Sequence, residues 1–157
     1  MVISNISIKY NKMQGAIAVE MALLLIPLIV LAFGVAEFGR ALYQYNTVTK
    51  SVRDAVRLLS QYDSTDAAYS THIAEAKCLV AHGTTDCSGA LLLPGLTTGM
   101  VSAATSTVKT SLGNTLRMVT VTVTGYTFNF VFNPLVFGGG GGATIPFGPI
   151  HATMRQI

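Results

Sequence analysis

The hydrophobic pattern of this chain changes character twice. From Ala16 to Ala36 nearly every position is apolar, and Glu20 is the sole charge. Apolar residues on all sides of a segment this long predict a helix surrounded by lipid rather than by water. Beyond it the pattern thins but keeps a helical period. Leu42, Tyr45, Val48/Thr49, Val52, Ala55/Val56 and Leu59 recur every three or four residues, and such spacing predicts an amphipathic helix. Arg40, Lys50, Arg53, Asp54 and Arg57 fall mostly between them. One continuous helix is therefore expected from Ala16 to Ser60. Pro27 lies inside it. A mid-helix proline removes one hydrogen bond, which in a membrane is tolerated with a kink.

A second helix is expected over Asp66–His82. Ser64, Thr65 and Asp66 offer N-caps, Gly83 can end it in the left-handed conformation, and Ala68, Ile73, Ala76 and Val80 form its apolar face. Thr84–Gly99 reads as loop, punctuated by Gly89, Pro94-Gly95 and Gly99. At Val101 the period drops to two. Val101–Ser111 and Leu116–Phe130 read as a β-hairpin with Gly113-Asn114 in a tight turn. Val119-Thr-Val-Thr-Val-Thr124 alternates strictly, and Tyr126, Phe128 and Phe130 extend the strand to Asn133-Pro134. Gly138–Gly142 is a linker without the strand and helix that flank a phosphate cradle. Ile150–Gln156 returns as a third strand. The fold class is α+β: a long N-terminal helix, then a small domain with a short helix and an antiparallel hairpin or three-stranded sheet. The expected divisions are a leader at 1–15, a transmembrane segment at 16–36, an amphipathic continuation at 37–62 and an α+β domain at 63–157.

Composition narrows the function. Half of the 157 residues are hydrophobic and 11% are charged, too apolar for an ordinary soluble domain of this size. The net charge of +3 is small and scattered, so nucleic-acid binding has no support. His72, His82 and His151 are dispersed, and no Ser/His/Asp set or Cys-x-x-Cys occurs. No catalytic residues, metal site or cofactor are expected. If the polar body is exported, Cys78 and Cys87 can close a short disulfide loop; in a reducing compartment they would be two thiols.

Four readings compete for residues 1–40. One is a secretory signal cut after Gly34-Val35-Ala36, although Glu20 interrupts its apolar core and the helical pattern runs through the cut. Another is an uncleaved anchor with Glu20 near headgroups. A soluble core helix would need more chain around it than exists. The fourth joins Gly15 to Glu20. Lys9 and Lys12 make a basic leader that ends at Gly15; with four apolar residues, Glu20 and a membrane helix after it, this resembles the processing site of type IV prepilins, which implies a peptidase that cuts after Gly15, where no side chain is in its way. The new amine at Ala16 would then lie one helical turn from Glu20, on the same face. An opposite charge in low dielectric favours both ionised forms.

Gly15-Ala-Ile-Ala-Val-Glu20-Met-Ala-Leu-Leu-Leu-Ile-Pro27, Ala36-Glu37-Phe38-Gly39-Arg40 and Lys50-Ser-Val-Arg53-Asp-Ala-Val-Arg57 together resemble the TadE-like family, pseudopilins or minor pilins of bacterial tight-adherence (Flp) pili. Val119–Val123, Tyr126-Thr-Phe and Ala152–Arg155 agree with it. Met21 departs from the aromatic common after the glutamate. The resemblance implies cleavage between Gly15 and Ala16 by a prepilin peptidase. It implies pairing of Glu20 with a neighbouring subunit's amine. It places a single-pass protein in the inner membrane, with its N-terminus cytoplasmic, its C-terminal domain periplasmic, and other pilins, inner-membrane assembly proteins and the bilayer as partners. Pro27, Glu37 and Arg40 are candidate helix-interface residues. For Glu37 and Arg40 an i,i+3 ion pair, with the arginine reaching for headgroups, is the simpler role. Lys50, Arg53 and Arg57 read first as a solvated face.

Overall fold

The computed structural model describes residues 11–132 and 144–157. The leader residues before Asn11, Lys9 among them, lie outside the described residues. So do the strand end at Asn133-Pro134 and the Gly138–Gly142 linker. The structure is α+β. Helix α1 spans Asn11–Leu59 and α2 spans Tyr69–His82. A short 3-10 turn at Thr98–Met100 leads into strands β1 (Val101–Lys109), β2 (Thr115–Val123), β3 (Thr127–Asn129), β4 (Thr144–Pro146) and β5 (Ile150–Arg155).

The long helix covers the expected span up to Leu59, but it begins five residues earlier, at Asn11 inside the expected leader, and passes through Pro27 without interruption. The chain groups into two compact units. Described residues up to Phe38, with Val131 and Phe132, belong to one; Gly39–Phe130 and the residues from Thr144 onward belong to the other.

In the second unit, α1 buries one stripe: Gln44, Val48, Ser51, Val52, Ala55, Val56, Leu59 and Ser60. The three-and-four spacing is the expected one, but its upper end differs. Leu42 and Tyr45 are exposed, and the stripe position above Val48 is taken by Gln44.

Helix α2 begins three residues later than expected. Asp63 and Asp66 accept the N–H groups of Thr65 and Ala68, which spends their side chains on turns. Ala68 at the N-cap position makes no side-chain cap. Tyr69, Ala76, Val80 and Ala81 are the buried face, while Ala68 is exposed. The C-terminus ends as expected. Gly83 has φ +79°, and its N–H donates to the Leu79 carbonyl, a left-handed cap that glycine adopts without a Cβ penalty.

The main sheet is antiparallel in the order β1-β2-β5. Val101 pairs with Val123 and Lys109 with Thr115, while Ile150 pairs with Val123 and Arg155 with Met118. Val119, Val121 and Val123 point inward, with Ile150 and Val101 beside them in the core. The hairpin turn is not the two-residue one. Thr110 N–H donates to the Asn114 carbonyl and Gly113 N–H to the Thr110 carbonyl, with Gly113 at φ +82°. This is a three-residue connection that places glycine at its left-handed position. The strand also stops at Val123, short of Phe130. Gly125 at φ +76° turns the chain, and residues 127–129 pair with 144–146 in a separate two-stranded sheet.

Candidate functional site

Gly15, Ala16 and Glu20 all lie on α1, and each is exposed. No atom lies within 4 Å of where a Cβ on Gly15 would stand, so nothing in the chain's own packing requires glycine there. The apolar positions around Glu20 are open too: Met21 is 63% exposed and Leu24 61%. From Gly15 to Leu59, α1 is long and apolar enough to cross a membrane, and none of its most apolar stretch is buried within the chain. Whatever covers this surface must come from outside the fold, because a run of exposed large apolar side chains is not stable against water. Glu20 shares that surroundings.

Glu37 is 8% exposed. The N–H groups of Val131 and Phe132 donate to its two carboxylate oxygens at 3.4 Å, and the Phe132 ring packs at a tilt against Phe33, centroids 4.5 Å apart. A carboxylate withdrawn from water needs such donors. In the other unit, Arg40 donates to the Asn129 carbonyl and holds its guanidinium 4.4 Å from the centre of the Phe128 ring. Each side chain of the candidate pair thus engages the segment after β2. The i,i+3 spacing alone gave no sign of this, since their partners lie about ninety residues away.

Two buried polar knots were not visible as site residues in the sequence. Tyr126 donates its hydroxyl to Gln44 Oε1 at 2.9 Å, and burial pushes its pKa up. Gln156 Nε2 lies 3.0 Å from the Tyr62 carbonyl and 3.0 Å from the Tyr69 hydroxyl. Its backbone N–H donates to Arg117. One signal was available for Gln44: it sits four residues before Val48, on the buried stripe.

Cys78 and Cys87 are joined by a disulfide, S–S 1.99 Å, that ties the end of α2 to the following loop. Among the described residues no group of three His, Cys, Asp or Glu side chains is arranged to hold a metal.

The exposed apolar surface of α1 fits a membrane-anchored protein. A family model described as TadE-like protein matches residues 15–57, which make up most of α1. The match begins at Gly15 and points to a pilin-like protein associated with the Tad pilus, in a structural family rather than an enzymatic one. No curated protein and no solved structure matches the chain.

Proposed function

We propose that this chain is a TadE-like pseudopilin that assists assembly of a tight-adherence pilus. Prepilin peptidase cuts its leader after Gly15, with the N-terminus on the cytoplasmic side and the α+β domain outside the inner membrane. The observation that carries this reading is the coincidence at residue 15. The family match starts at a glycine that packing does not require, on a helix whose apolar surface is left uncovered from that residue onward. Cleavage there creates an amine at Ala16, one turn from Glu20. In a bundle of such helices, Glu20 neutralises the amine of a neighbouring subunit, which fixes the stagger between helices. A carboxylate in hydrocarbon costs several kcal/mol unless it is paired in this way.

The mature N-terminus, read by mass spectrometry, decides the matter. It begins at Ala16 on this proposal. A start at Glu37 would mean secretion through a cut after Ala36, and an intact leader would mean a plain anchor. Gly15→Phe leaves the precursor uncut. Glu20→Ala inserts in the membrane but loses pilus assembly; normal piliation with this variant would overturn the role given to Glu20.

A further inference from the structure

Strand β5 is an edge strand. Among the described residues it pairs with β2 alone, on one side. Gln156 donates its N–H to Arg117, and inward-facing and outward-facing backbone groups alternate along an antiparallel ladder. The N–H and C=O groups of His151, Thr153 and Arg155 therefore face away from β2. Among the described residues, no backbone hydrogen bond reaches them.

Alongside this edge runs a groove of about 550 Å³ between α1 and β5, floored by Ala152 and Met154. Its helix wall carries Lys50, Arg53 and Arg57, which share one face of α1 through their three- and four-residue spacing. Against these three cations stands one acid, Asp54. None of the three cations is within ion-pair distance of a carboxylate among the described residues. Exposed cations are usually just solvated. Here they line a cleft whose opposite wall offers unpaired strand groups.

We propose that this groove binds an extended acidic segment of a partner polypeptide, which adds to β5 as a fourth strand. Main-chain bonds to His151, Thr153 and Arg155 supply the pairing. Acidic side chains at every second position lie toward α1 and meet Lys50, Arg53 and Arg57, because alternate residues of a strand share a face. Uncharged strands gain only the first set of contacts, and acidic helices only the second. This goes beyond the leader processing proposed above and holds whether or not the chain is cut after Gly15.

The test uses the full chain in a neutral detergent and a fluorescein-labelled decapeptide of alternating Glu and Val, followed by anisotropy. Saturable binding is expected, weakening as salt rises. Arg53→Glu/Arg57→Glu lowers affinity by about tenfold or more, as loss of close charge pairs does at other interfaces. Thr153→Pro also lowers it, and because that N–H faces outward the sheet keeps its ladder. A peptide N-methylated at alternate residues keeps its charge but loses donors, and binds as weakly as the parent peptide binds to Thr153→Pro. Lys109→Glu, on the opposite edge of the sheet, leaves affinity unchanged. Equal binding of the N-methylated peptide would show charge attraction alone and overturn the proposal, as would the absence of saturable binding. Displacement of the peptide by phosphatidylglycerol vesicles in an Arg53- and Arg57-dependent manner would give the groove to lipid instead and overturn it too.

Discussion

Tyr126 and Gln156 each hold together segments far apart in the chain by one polar side chain. The Tyr126 ring packs against Phe147 at 5.6 Å while its hydroxyl serves Gln44. Tyr126→Phe keeps the packing and strands the Gln44 oxygen. A loss of about 1–2 kcal/mol is expected from the urea midpoint. Gln156→Ala removes a buried donor shared by Tyr62 and Tyr69 and is expected to cost roughly 1–3 kcal/mol by the same measurement. A third effect belongs to acid. Thr65, through its backbone N–H and then its hydroxyl, and Arg117 hold the Asp63 carboxyl below its ordinary value of 3.8. A carboxyl depressed in the folded state adds stability above its unfolded pKa, and that stability fades as pH falls through the folded value. Stability should therefore decline below about pH 4, and Asp63→Asn should flatten that part of the profile in urea titrations from neutral pH downward.

At the level of elements, the end of α2 is fixed twice, by Gly83 and by the Cys78–Cys87 bridge. Gly83→Ala forces a Cβ into a left-handed backbone, beside Leu92 at 3.1 Å. It is expected to cost about 1–2 kcal/mol in thermal or urea unfolding. Reducing the disulfide frees a short loop, with a separation of 9 residues. A loss of roughly 2.5–3 kcal/mol follows from the entropic account, read as the difference between urea midpoints with and without reductant. The elements also mark what sequence periodicity can reveal. Helix α1, Gly83 and the Val119–Val123 alternation follow from local rules: period, cap chemistry and face. The turn at Gly113, the break at Gly125 and the separate β3–β4 sheet do not. Alternation continues through Tyr126 and Phe128 whether the strand runs straight or turns, and only pairing with residues 144–146 decides it. The candidate residues divide the same way. Gly15 and Glu20 stand out by being odd in their surroundings, whereas the partners of Glu37 and Arg40 are non-local and leave no mark on the helix sequence.

For the molecule as a whole, the core of the second unit draws on α1 only from Gln44 onward. Among the described residues, no position of α1 before Glu37 is buried. A fragment of residues 39–157 should therefore be water-soluble, retain the disulfide and unfold in one cooperative transition by circular dichroism, while the full chain needs detergent or lipid. If the fragment aggregates or melts without cooperativity, the core depends on the preceding helix after all.

The reach of Gln156 has a kinetic side. Its amide lies 3.5 Å from the Leu59 carbonyl across a separation of 97 residues, and β5 supplies Ile150 to the core that Val52 and Val56 enter from α1. Contacts this distant in sequence form late and slowly. During synthesis, the sticky face of α1 emerges long before the strand that covers it and must wait, tethered beside the bilayer, with Val48, Val52 and Leu59 uncovered. For that interval the chain is at its most vulnerable to wrong partners and proteases, and its surest protection is whatever occupies that helix face until β5 arrives.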